Sequence, residues 1–226
     1  MTFDYYIYML PALIFSLIAQ AYVKSAYNKY SRVRNYLGIT GEDAAYKLMP
    51  AIGLHDVSVQ GTSGTLSDHY DPRSNVLKLS PAVASQPSVA ALAITAHELG
   101  HAAQDRDNYF PLRLRGMIVP VVNIGSNLGW IMIIIGLILG LADLAQVGVI
   151  VFSVGAVFSL ITLPVELNAS KRARVMLKEN GLVVNEQEEE GVKKVLNAAA
   201  LTYVAALASS LVQLFYFSSL TRRMRR

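Results

Sequence analysis

Apolar and polar positions alternate on two length scales along this chain. On the long scale, uncharged runs recur: Tyr5 to Val23 (19 residues), Gly116 to Ala142 (27), Leu144 to Val165 (22) and Ala198 to Leu220. About 20 apolar residues in a helix cross a hydrocarbon core of roughly 30 Å, so the first three runs predict transmembrane helices. The first run follows no basic segment and precedes no small-residue cleavage site, so it reads as a retained span. Tyr5, Tyr6 and Tyr8 at its start suit an aromatic interface belt, and Pro11 is a site for a kink. Only Asp143 separates the second run from the third, which predicts a hairpin with a very short turn. Asn123, Ser126 and Asn127 are expected to face other helices, because polar groups facing lipid are costly. Ser209, Ser210, Gln213, Ser218 and Ser219 interrupt the fourth run, which therefore predicts either a fourth span or a helix lying in the interface.

Between these runs the pattern shortens. Lys24, Lys29, Arg32 and Arg34 follow the first run. Thr40 can cap a helix with Glu42 and Asp43 in its first turn and Gly53 as its stop. His55 to Gln60 alternates with a period of two, as does Asn75 to Ser80, and Gly61 and Gly64 mark a turn between them. A small sheet is expected. Pro81 and Pro87 suit first-turn positions, the second opening a helix from about Ser88 to Asp105. After Glu166 the chain is polar and helical to a stop at Asn180-Gly181, and Asn185 with Glu188 forms a capping-box start for the last helix. No internal repeat or low-complexity linker is visible.

Composition supports the membrane reading. The chain of 226 residues is 53% hydrophobic and 16% charged, more apolar than a soluble domain of this size needs. It has no Cys, which excludes disulfides, thiolate metal ligands and a Cys nucleophile. A net charge of +4 could point to nucleic acid, but the basic residues flank the apolar runs, where anionic lipid headgroups account for them. No nucleic-acid partner is expected.

The chemistry concentrates in Ala96-His97-Glu98-Leu99-Gly100-His101-Ala102-Ala103-Gln104. On a helix, positions i and i+4 share a face, so His97 and His101 can address one metal ion with Glu98 beside them. Two of the chain's four His fall at this spacing. A catalytic zinc site needs a third protein ligand and a position open to water. Asp107 stands where an extended HExxHxxGxxH motif would place it, but Gln104 replaces the turn glycine that motif needs. His69 or His55 could reach in from a loop. Glu166, opening a helix after the hairpin, is the favoured candidate, because a carboxylate on a second helix completes a His2Glu set. Zn2+ is the expected cofactor, and Glu98 the expected general base toward water and proton donor to the leaving amine. His69 or Tyr70 is a candidate for binding substrate or stabilising an oxyanion. Asn168 and Ser170 are candidates for orienting the ligands from behind. An extended peptide could add to the edge of the small sheet, with Asn75 to Ser80 as the candidate strand.

AHELGHAAQD, followed across two apolar segments by LPVELNASKRA and preceded by LSDHYDPRSNVLKLSP, resembles the bacterial membrane-bound neutral zinc metallopeptidases of the zinc-peptidase-2 family. These are similar to membrane gluzincins, including CAAX prenyl proteases and heat-shock membrane proteases. The resemblance covers roughly Tyr36 to Ala206. It implies His97 and His101 as ligands, Glu98 as catalytic base and Glu166 as third ligand. Related gluzincins often carry Asp four residues after the ligand Glu; Ser170 stands there, so that carboxylate does not carry over.

The expected fold is a mainly α membrane protein with three or four transmembrane helices and a small zincin-like α+β catalytic domain. Its segments would be a transmembrane helix (1–25), a catalytic segment (26–115), a transmembrane hairpin (116–165), a third-ligand helix and connector (166–195), and an apolar helix with a basic tail (196–226). The expected activity is a membrane-anchored zinc endopeptidase acting on membrane-associated or unfolded polypeptides; the alternative is a non-catalytic scaffold or chaperone-like adaptor with a structural metal. Of the 20 Lys and Arg, 16 lie between Lys24 and Arg115 or between Lys171 and Lys194. The positive-inside bias therefore predicts a multi-pass plasma-membrane protein with its site on the cytoplasmic side. Four C-terminal Arg run against that bias if the last helix spans.

Overall fold

The computed structural model describes residues 3–224, with side chains from Tyr6 onward. The Tyr5 ring and the terminal Arg225 and Arg226 lie outside the described residues. The elements in order are α1 (Phe3–Tyr30), α2 (Gly41–Ala51), β1 (Ser58–Gly61), β2 (His69–Asp71), β3 (Val76–Leu79), α3 (Pro81–Ser85), α4 (Val89–Arg106), α5 (Phe110–Leu139), α6 (Ala142–Phe152), α7 (Val154–Glu179) and α8 (Glu186–Met224). The protein is a mainly α-helical membrane protein with a small α+β region. Among the described residues, four helical segments are long and apolar enough to cross a membrane: Tyr6–Tyr30, Phe110–Leu139, Ala142–Glu179 and Glu186–Met224. The chain forms two compact units, one of residues 1–20, 111–164 and 202–226 and one of residues 21–110 and 165–201.

The first unit is built by close helix contact. The hairpin turns at Gly140, in the left-handed conformation (φ +68°), and Leu141. The turn thus precedes Asp143, which lies in the first turn of α6 where the helix dipole favours a carboxylate. Beyond the turn, α5 and α6 approach at small residues. A Cβ on Gly129 would lie 2.5 Å from the Phe152 nitrogen, and one on Gly136 would lie 2.6 Å from the Ala145 nitrogen. Small residues at such crossings let backbones meet, which is how helices associate when lipid offers no hydrophobic drive. Trp130, Phe152, Tyr216 and Phe217 stack beside them, with Trp130 and Phe217 centroids 5.3 Å apart. Two serines of the last run serve helix-to-helix contacts: Ser209 lies 3.1 Å from Ser16, and Ser210 lies 3.3 Å from Ser159. Asn123 and Asn127 depart from expectation. Both are exposed, and the Asn127 amide donates to the Asn123 carbonyl one turn back (2.8 Å). For Asn127 a local backbone bond thus replaces the interhelical partner.

The second unit carries the sheet and α4. Thr40 and Asp43 form the capping box of α2: the Asp43 N–H donates to Thr40 Oγ1 (3.1 Å) and the Thr40 N–H to Asp43 Oδ2 (2.9 Å). Asn185 caps α8 by accepting the Glu188 N–H (2.9 Å), but the Glu188 carboxylate turns instead to the N–H groups of Tyr36 and Val184. The strand order is β1-β3-β2, with β1 parallel to β3 and β2 antiparallel to it. β3 is therefore the central strand, and the outer strands are β1 and β2. This corrects the expectation that Asn75 to Ser80 offers the free edge. Leu77 and Leu79 are buried with Leu48, Leu92, Leu99, Leu177 and Leu196 in one apolar core. Each such side chain contributes about 1.5–3 kcal/mol on burial.

Candidate metal centre

α4 begins at Ser88, whose hydroxyl accepts the Ala91 N–H (3.1 Å), so Pro87 precedes the cap and is not a first-turn residue. The helix is rich in alanine and almost entirely buried through Ala103. Small side chains let it pack on several neighbours at once. One of its close approaches is to α7. A Cβ on Gly100 would lie 2.6 Å from the Ala169 carbonyl oxygen, so the glycine within the HELGH stretch permits backbone contact there.

That contact brings three side chains together. The Nε2 atoms of His97 and His101 lie 3.2 Å and 3.4 Å from Oε2 of Glu166. The two rings are nearly perpendicular (86°) with centroids 4.9 Å apart. One donor atom from each of the three residues falls within 4.8 Å of the others. Glu166 is almost fully buried (2% exposed). Among the described residues this is the group of His, Asp and Glu that could hold a metal ion.

The far side of each imidazole is also engaged. Ser170 Oγ lies 3.2 Å from His97 Nδ1, and Gln104 Oε1 lies 3.0 Å from His101 Nδ1. An imidazole that binds metal through Nε2 needs its Nδ1 hydrogen bonded, which fixes tautomer and ring orientation. With Nδ1–H donated to Gln104, neutral His101 turns its Nε2 lone pair toward the Glu166 carboxylate. Two lone-pair bearing atoms that close are satisfied by a cation between them, so the donor set fits a metal of zinc type.

Glu98 stands beside this group on the face toward β2. Its Oε2 accepts the Tyr70 backbone N–H (3.1 Å). Burial pushes its carboxyl above the ordinary range, partly offset by the neighbouring His97 and His101. The Tyr70 hydroxyl reaches elsewhere, lying 2.9 Å from Asn75 Oδ1 and 3.1 Å from Asp105 Oδ2. β2 is therefore pinned to α4 at two points, by main chain at Glu98 and by side chain at Asp105.

The remaining sequence candidates fall as follows. His69 is exposed on β2, with Nδ1 2.8 Å from the Ser67 carbonyl. His55 lines a separate cavity of about 210 Å³ with Asp56, Tyr70, Asn75, Asp105 and Arg106. Asp107 forms the C-cap of α4, and the Arg172 guanidinium 2.5 Å away holds its carboxyl below the usual range, with Arg106 adding to the effect. None of the three joins the His-His-Glu group. Asn168 sits one step behind it, its Oδ1 accepting from Gln104 Nε2 (3.0 Å) and Arg172 Nε (2.9 Å). Gln104 and Asp105 were not singled out by the sequence reading as supports of the site. The available signal was a polar Gln inside a buried alanine face, one turn beyond His101.

Together the helices and this cluster define a class: a membrane protein whose α+β unit carries a candidate His-His-Glu metal centre with a glutamate beside it. The model of the family described as "Putative neutral zinc metallopeptidase" matches residues 5–222, and the chain belongs to that family. It is also 45% identical over 208 residues to the Bacillus subtilis (strain 168) protein named "Putative membrane protease YugP", covering 92% of each. No solved structure matches the chain.

Proposed function

We propose that this protein is a membrane-anchored zinc endopeptidase in which His97, His101 and Glu166 hold the metal and Glu98 is the general base. The observation that carries this reading is the convergence of the three donor atoms within 4.8 Å, with Glu98 on the adjoining helical position. When bound, zinc supplies a Lewis acid that polarises the scissile carbonyl and makes water more acidic. Glu98 takes the proton from the attacking water as the C–O bond forms. It then delivers that proton to the amine as the C–N bond breaks. Its raised affinity for protons suits both transfers, and the Tyr70 N–H holds the carboxylate in place.

In this reading 26–115 and 166–195 carry the machinery, while 1–25, 116–165 and 196–226 anchor it. Membrane-associated or unfolded polypeptides are the substrate class, and the distribution of Lys and Arg supports a site on the cytoplasmic side of the plasma membrane.

Glu98→Gln tests the mechanism. The variant is expected to retain zinc in full and to lose hydrolysis of a casein-like substrate by about 10²–10⁴-fold, the range of general-base contributions. Unchanged cleavage at full zinc occupancy would remove Glu98 from the mechanism. Zinc binding without cleavage by the parent protein would favour the scaffold reading. Because the chain has no Cys, a single cysteine placed near Asp68 tests the sidedness. Protection from an impermeant thiol reagent in intact cells is expected, and labelling there would reverse the topology.

A further inference from the structure

Gln104 is fully buried (0% exposed) on α4, one turn beyond His101, and every hydrogen-bonding group of its side chain amide has a partner. Nε2 lies 2.8 Å from the Val165 carbonyl and 3.0 Å from Asn168 Oδ1. A carbonyl can only accept, so the amide nitrogen must face Val165. The amide oxygen is then the atom 3.0 Å from His101 Nδ1, and it too can only accept. His101 must therefore carry a proton on Nδ1, so that in its neutral, metal-binding form Nε2 bears the lone pair that faces Glu166. The two α7 partners bracket Glu166 in sequence, Val165 immediately before it and Asn168 two residues after.

We propose that Gln104 is a positioning residue of the metal group: its amide oxygen, oriented by the two bonds its nitrogen makes to α7, sets the tautomer of His101. The proposal rests on the reading of His97, His101 and Glu166 as ligands. It assigns to a neutral carboxamide the support that a carboxylate often gives a metal-bound histidine. Behind it the chain of contacts continues from Asn168 to Arg172 Nε (2.9 Å), and from Arg172 Nη1 to Asp107 Oδ2 (2.5 Å). The buried end of α4 is thereby tied to an exposed ion pair at its C-cap.

The test uses the full chain in detergent, with zinc affinity measured against a chromophoric chelator and the Co2+-loaded protein measured by visible absorption. Gln104→Leu keeps the approximate volume and removes the acceptor for His101. Zinc affinity is expected to fall about 10–100-fold, with a changed cobalt spectrum. Gln104→Glu keeps an oxygen for His101 while losing the amide donors. It is expected to restore the parent cobalt spectrum and most of the zinc affinity, even if the chain is less stable. Parent-like affinity and spectrum in Gln104→Leu would overturn the proposal. So would loss in both variants, because the acceptor for His101 would then not be what matters. If Gln104→Leu does not fold, the cobalt spectrum of Gln104→Glu decides alone: a parent-like spectrum supports the proposal and an altered one overturns it. Glu166→Ala separates this from the underlying reading. Full zinc occupancy in that variant would reject the ligand assignment itself, whatever Gln104 does.

Discussion

At Gly100 the backbone of α4 lies against the Ala169 carbonyl of α7, and at Gly129 the backbone of α5 lies against Phe152 and Gly148 at comparable range. Both are contacts that a single added methyl group would obstruct. Around Gly129 the neighbours are apolar, with Ile133 and Val149 buried among aromatic rings. Around Gly100 they are polar, with His97, His101, Gln104, Glu166 and Ser170 hydrogen bonded within a turn or two. The same device therefore does two kinds of work. In the apolar pair, close approach is the end in itself, because dispersion and packing hold helices together in lipid. In the α4–α7 pair, close approach is the means by which side chains on two helices reach one point in space. Apolar packing degrades gradually as backbones part. A hydrogen-bonded donor set does not, because a displacement of about 1 Å in a catalytic constellation can cost about 10²-fold.

Substituting valine at each glycine puts that difference to the test. Gly100→Val should carry the larger functional effect, lowering zinc affinity and peptide hydrolysis by about 10²-fold, because the side chain must push Ala169, and Glu166 with it, away from α4. Gly129→Val should cost about 1–3 kcal/mol of stability in detergent, the usual penalty of overpacking. Zinc affinity per folded molecule should stay within about twofold of the parent. Chelator competition and thermal melts on both variants provide the comparison. Equal losses of zinc affinity would show that the hairpin contact, like the other, tunes the donor set.

What the sequence made legible follows the same line. The i, i+4 spacing of His97 and His101 is a local property of helix geometry, and it placed two imidazoles on one face with no tertiary information. Glu166 was legible because an acidic residue opens the polar part of a helix directly after an apolar hairpin. Gln104 was passed over because its importance lies in what crosses to it from Val165 and Asn168, more than 60 positions away in sequence. Strand order failed for a related reason. β1 and β3 pair in parallel across an intervening strand of three residues, and so short a strand leaves little periodicity to read. Asn127 misled because a helical Asn can bond a carbonyl one turn back, an option the cost of exposure to lipid does not reveal.

The smallest expected effect belongs to a place where sequence and structure agree, the N-cap of α2 at Thr40. Thr40→Ala removes the acceptor for the Asp43 N–H, and the loss of such a cap costs about 1 kcal/mol. The Thr40 N–H and hydroxyl also hold the Asp43 carboxyl below its ordinary range. A carboxylate whose folded pKa is depressed adds stability above its unfolded pKa of about 3.9, and loses it as pH falls through the folded value. The gap between Thr40→Ala and the parent should therefore be full near neutrality and narrow below about pH 4. Chemical denaturation in detergent at several pH values measures it. Zinc affinity near neutral pH should not change, because α2 supplies no member of the donor set. A loss of zinc binding comparable to that of Gly100→Val would mean that the cap at Thr40 also governs the α4–α7 contact.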